Sequence, residues 1–108
     1  MEIQLSKAAA NDIREIETYT LSKFGSSQTL DFLGKLEDAL TLISTQPAIG
    51  TLRPELDPPN HQFSYQAFLR SFVVVYEEHE GRLRVARIIH GSRNLLSELL
   101  RECGDGTE

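Results

Sequence analysis

Phe72-Val73-Val74-Val75-Tyr76-Glu77-Glu78-His79-Glu80-Gly81-Arg82-Leu83-Arg84-Val85-Ala86-Arg87-Ile88-Ile89-His90 decides the fold. The run Phe72 to Tyr76 is β-branched and aromatic with no polar break. That suits a strand covered on both faces, and so a central one. Leu83 to Ile89 reads as the next strand, with Glu78-His79-Glu80-Gly81 as the hairpin connection. Strict alternation sets Leu83, Val85, Arg87 and Ile89 on one face. Arg82, Arg84, Ala86, Ile88 and His90 then take the other. Upstream, Phe63, Tyr65 and Ala67 alternate with Gln62, Ser64 and Gln66, a half-buried strand. Three successive strands with hairpin-sized links form an antiparallel set.

Working outward, Glu2 to Leu5 alternates polar and apolar, which predicts a short strand. Ser6 can cap a helix beginning at Lys7. Ala9, Ile13, Ile16 and Thr20 fall at helical spacing, with Asp12, Arg14, Glu15 and Glu17 on the other face. Gly25 ends this helix. Ser26 and Ser27 offer a second cap, and Leu33, Leu36, Leu40 and Ile43 form the next stripe beside Phe32 and Ala39. Pro47 stops that helix by Gln46. Pro47 to Pro59 holds all four prolines and Gly50, a long loop. After His90, Gly91-Ser92 starts a last helix with the stripe Leu95, Leu96, Leu99 and Leu100. The expected fold is α+β: an N-terminal strand, an antiparallel helical hairpin on a small, mainly antiparallel four-stranded sheet, and a C-terminal helix. Residues 1–103 are read as a single domain, and 104–108 as a frayed acidic tail.

Length and composition narrow the function. The chain has 108 residues, 40% hydrophobic and 25% charged, ordinary for a globular domain. No stretch is long and apolar enough to span a membrane, and the N-terminus lacks a secretory pattern, so the cytoplasm is the expected compartment. One cysteine, Cys103, excludes an internal disulfide. The net charge of −5 argues against bulk binding to nucleic acid or anionic lipid. The layout is uneven. Residues 1–50 hold seven acids and four bases, whereas residues 51–101 hold six acids and seven arginines. Every lysine lies before residue 36.

The chemistry-bearing segment is Arg87-Ile88-Ile89-His90-Gly91-Ser92-Arg93. It sets two guanidiniums and an imidazole where a strand passes into a helix N-terminus, a setting suited to an anion. Arg53 in the long loop and Arg70 before the central strand could converge on it. His90 could act as a general acid or base. Each residue also has a plainer reading. Arg87, on a largely apolar face, could be a buried arginine paired with a carboxylate. His90 could bond the turn. Arg82 and Arg84 suit a solvated ion-pairing edge. Tyr19, Tyr65, Tyr76 and the five phenylalanines fall at core-like positions. The terminal leucine stripe suits core packing or partner docking. His61, His79 and His90 are too dispersed for a metal-ligand pattern, so neither metal nor cofactor is expected.

An ordered set of segments resembles the ParE/RelE superfamily of toxins from bacterial type II toxin–antitoxin systems, and its ParE branch most closely. The set is Ala9 to Tyr19, then Phe32-Leu33 with the Leu36/Leu40 stripe. Gln46-Pro47-Ala48-Ile49-Gly50 follows, leading into Arg53-Pro54-Glu55-Leu56. Phe68 to Tyr76 and Arg87 to Leu95 complete it. The resemblance implies the fold derived above. It also implies a ParD-like antitoxin, whose extended C-terminal segment wraps and neutralises the toxin in a hetero-oligomer that serves the stress response. ParE-like toxins are associated with DNA gyrase poisoning, and RelE-like toxins with ribosome-dependent mRNA cleavage. Acidic balance, with no tyrosine after Tyr76 and no lysine after Lys35, favours the non-catalytic gyrase inhibitor without direct sequence-specific nucleic-acid binding. In the nuclease alternative, Arg87, His90 and Arg93 supply the phosphate clamp and proton transfer. A third alternative is an inactive homologue that only binds antitoxin. Arg53, Arg70, Arg87, His90 and Arg93, with Leu96, Leu99 and Leu100 on the terminal helix, are the expected antitoxin- or target-binding residues.

Overall fold

A three-residue strand, β1 (Ile3–Leu5), leads directly into helix α1 (Lys7–Phe24). Ser6 makes that turn possible. Its hydroxyl accepts from the Ala9 amide at 3.0 Å, which caps the helix, and donates to the Ala86 carbonyl at 2.7 Å. The computed structural model describes residues 1–69, 71–91 and 99. Helix α2 (Ser26–Thr45) follows after one residue, Gly25, whose φ of 90° only glycine adopts without strain. Gly25 caps both helices, so Ser26 and Ser27 are not caps but the first residues of α2.

The expected long loop carries more order than its prolines suggest. Two short 3₁₀ turns, Pro47–Ile49 and Pro54–Leu56, flank a two-residue strand, β2 (Thr51–Leu52). β2 pairs with β3 (Ser64–Phe68), so the sheet has five strands rather than four. Tyr76 anchors the loop from below. Its hydroxyl accepts from the Gly50 amide at 3.0 Å and donates to the Pro47 carbonyl at 2.7 Å. A side chain on Gly50 would collide with that hydroxyl, so glycine is required there by space.

β4 (Phe72–His79) and β5 (Arg82–His90) complete a sheet of order β1-β5-β4-β3-β2. β4 is central, as its apolar run predicts. All pairings are antiparallel except β1 with β5, which joins the first strand to the last described one. Val74, Tyr76, Leu83, Val85 and Ile88 pack under α2 residues Phe32, Leu36, Ala39 and Ile43. Phe63, Tyr65, Val75, Ala86 and Ile89 form a second cluster with Leu99. Adjacent Val74 and Val75 fall in different clusters, so the two lie on opposite faces of the sheet.

Three expectations need correction. A bulge falls where Val75 pairs with Arg87 but Tyr76 pairs with Val85, leaving Ala86 as the extra residue. Alternation along β5 therefore breaks. Ile88 joins Leu83 and Val85, while Ala86 and Ile89 share the opposite cluster. Asp12, expected among the outward residues of α1, is buried. Tyr19 and Phe24, expected in the core, are 58% and 57% exposed. Of the expected terminal helix, only Leu99 falls within the described residues, where it is helical and buried. The cap at Ser92, Leu95, Leu96, Leu100 and the acidic tail lie outside them.

Candidate functional site

β1 ends at Leu5, but β5 runs on to His90. Its outer side beyond Val85 thus lacks a strand partner among the described residues, and backbone groups there need other bonds. Ser6 serves Val85 and Ala86: its amide donates to the Val85 carbonyl and its hydroxyl to the Ala86 carbonyl. Asp12 serves the next stretch by accepting from the Ile88 amide at 3.0 Å. The same carboxylate takes Arg87 in a two-pronged pair, Nε to Oδ2 at 2.7 Å and Nη2 to Oδ1 at 2.8 Å. The two side chains are only 9% and 11% exposed. Arg87 is thus the carboxylate-paired arginine that its apolar surroundings suggested, with α1 supplying the carboxylate.

This pair lies at the base of a groove of about 710 Å³ between α1, the start of α2 and the adjoining ends of β4 and β5. Ile16, Phe32, Phe72 and Ile88 give it an apolar lining, and Tyr19 and Phe24 stand at its outer end. Those two rings meet edge-to-face, 6.4 Å apart. His90 also lines the groove, with its ring edge-on to Phe72 at 5.1 Å. Glu15 and Asp31, both exposed, add carboxylates to the lining.

The sequence-derived residues are dispersed. Arg87 and His90 share the groove. Arg53 follows β2 on the far edge of the sheet, three strands from β5, or about 14 Å at ordinary strand spacing. It pairs there with Glu55 at 2.6 Å, both side chains being exposed. That contact holds the Glu55 carboxyl below its usual pKa. Leu99 packs in the cluster on the sheet's other face. Arg70, Arg93, Leu96 and Leu100 lie outside the described residues. Among those described, no group of three or more His, Cys, Asp or Glu residues is placed to hold a metal. No described helix is long and apolar enough to cross a membrane.

The sequence profile of the ParE toxin of the type II toxin–antitoxin system parDE matches residues 3–95. The chain belongs to the ParE toxin family. Toxin ParE1 of Caulobacter vibrioides is 26% identical to it over 96 residues, covering 89% of this chain and 95% of that protein. A chain from the chromosomal ParDE TA system of P. aeruginosa shares the fold, with a TM-score of 0.69 at 16% identity. That match covers 83% of this chain and 95% of the other. As a ParE-family chain, it carries Asp12 and Arg87 within the matched span, on the first helix and the last described strand.

Sequence reasoning found one half of this pair and missed the other. A signal was present. Asp12 lies three residues after Ala9 and four before Ile16, which is the spacing of the buried stripe itself. A lone carboxylate in such a stripe needs a cationic partner, and Arg87 on an apolar strand needs an anionic one. Tyr19 and Phe24 gave no comparable signal, because aromatic side chains default to the core.

Proposed function

We propose that this chain is a cytoplasmic toxin that inhibits DNA gyrase and is neutralised by a cognate ParD-like antitoxin in a hetero-oligomeric complex. Membership of the ParE family supports the toxin reading. The observation that favours a protein target over RNA cleavage is the state of Arg87. Its Nε and Nη2 donate to Asp12, at 2.7 and 2.8 Å, within a groove that also carries Glu15 and Asp31. A phosphodiester approaching that groove meets carboxylates, whereas cleavage chemistry calls for cations where charge develops. No cofactor takes part in this reading.

Induction in cells should trap gyrase–DNA complexes and raise a DNA-damage response. Purified toxin should inhibit gyrase supercoiling and lose that effect when antitoxin is added. Normal supercoiling with folded toxin present overturns the reading. The nuclease reading is tested alongside by mapping mRNA ends after induction and by His90→Ala. Ribosome-dependent cuts that vanish with His90→Ala would establish it instead. No growth arrest, with antitoxin binding intact, would mark an inactive homologue.

A further inference from the structure

In a regular strand, successive backbone carbonyls point to opposite edges. β5 departs from this at Val85 and Ala86. Both carbonyls meet Ser6, the first through its amide at 3.0 Å and the second through its hydroxyl at 2.7 Å. That is the backbone signature of the bulge at Ala86, whose carbonyl is turned away from the β4 ladder. Ala86 and Ser6 are buried, at 0% and 6% exposure, so a carbonyl left there without a donor is strongly unfavourable. Ser6 therefore has a second task besides capping α1.

The bulge decides which side chains reach the groove. Phe72 pairs with His90, and the two rings meet on the face that carries the helices. Continuing the Tyr76–Val85 register without a bulge would set Phe72 opposite Ile89 and Val74 opposite Arg87. Ile88 and His90 would then turn to the other face. Arg87 would stand against Val74, which is fully buried, instead of at the outer side of the strand beside Asp12. We propose that Ser6 is a positioning residue: its hydroxyl holds the bulge, and the bulge presents Ile88, His90 and the Asp12–Arg87 pair to the groove. Ser6 itself does not line the groove. Arg87 and His90 are candidate binding residues. Under the antitoxin reading above, on which this step rests, Ser6 thus sets affinity from outside the contact.

The test uses the full chain with three substitutions at one position. Ser6→Thr keeps an oxygen that can accept from the Ala9 amide and a proton that can go to the Ala86 carbonyl. Ser6→Asp keeps the cap but has no proton to donate at neutral pH. Ser6→Gly removes both bonds yet remains a fair cap residue, and it carries the test if Ser6→Asp does not fold. Ile43→Val, in the core under α2, controls for a general loss of stability. In the parent and in Ser6→Thr, NMR should show cross-peaks between the Phe72 and His90 rings. In Ser6→Asp and Ser6→Gly these should weaken, and cross-peaks between Phe72 and Ile89 should appear. Antitoxin affinity should fall about tenfold in those two variants and hold in Ser6→Thr and Ile43→Val. Unchanged Phe72–His90 cross-peaks in Ser6→Asp and Ser6→Gly overturn the proposal. Their loss with antitoxin affinity intact, or an equal fall in Ile43→Val, also overturns it. Each of these results leaves the antitoxin reading standing as long as the parent binds antitoxin. A parent chain that binds none refutes that reading, and the cross-peaks alone then decide the positioning role.

Discussion

Asp12 accepts two hydrogen bonds from Arg87 and a third from the Ile88 amide, all from within a nearly closed site. Removing it takes away the carboxylate that receives two guanidinium N–H groups and the backbone N–H of Ile88. Asp12→Ala should therefore cost about 3 to 5 kcal/mol, measured by urea unfolding. Asp12→Leu combined with Arg87→Met should recover much of that loss, since a matched apolar pair avoids burying charge. Tyr65 presents a second case. Its hydroxyl donates to Asp57 Oδ1 at 2.8 Å, and that oxygen also accepts from the Phe63 amide. Burial first, and then the neighbouring carboxylate, raise the phenol pKa well above its usual value. The raised value means the folded state holds this proton more tightly than the unfolded chain does. Its contribution is full below the unfolded value near 10 and is lost as pH rises from there toward the folded value. Tyr65→Phe should thus lose stability less steeply above pH 10 than the parent, in parallel denaturation series.

At the scale of elements, the β4–β5 hairpin turns on two residues, because His79 pairs with Arg82. Glu80 and Gly81 both have positive φ, 53° and 78°. That is the two-residue pattern in which asparagine followed by glycine is preferred. Glu80→Asn should therefore stabilise the protein by about 0.5 to 1 kcal/mol, seen as a higher urea midpoint with an unchanged slope. The strands themselves were legible because apolar pattern and element length agree. The Val73-Val74-Val75 run announces a strand buried on both faces, and the structure places it third of five. The bulge was not legible. Arg82 to His90 carries no glycine or proline to mark where the alternation slips, and the cause lies in how Ser6 and Asp12 meet the strand's outer side. β2 was hidden for another reason. Its Thr51 and Leu52 sit between proline turns, and pairing with Ser64 and Tyr65 supplies the order that local sequence does not.

For the whole molecule, one sheet separates two apolar clusters, and Tyr76 and Val75 are neighbours in sequence that serve different ones. Cores so directly coupled should fail together. Far-UV dichroism and tyrosine fluorescence should report a single coincident unfolding transition. The groove was the least legible feature at this scale. Glu15, Tyr19 and Asp31 are unremarkable along the chain, and they share a surface only because Gly25 folds α1 back against α2.

The parallel pairing of β1 with β5 also sets an order of events during synthesis. Ile3 has no partner until Leu83 exists, and Asp12 none until Arg87 does. A growing chain can form the helical hairpin early, but the wall of the groove and the edge of the sheet close on residues 83–90. Contacts so distant in sequence form late. The groove is therefore built only after residues 83–90 have been made. A partner that reads the groove meets a chain in which the last described strand is already in place.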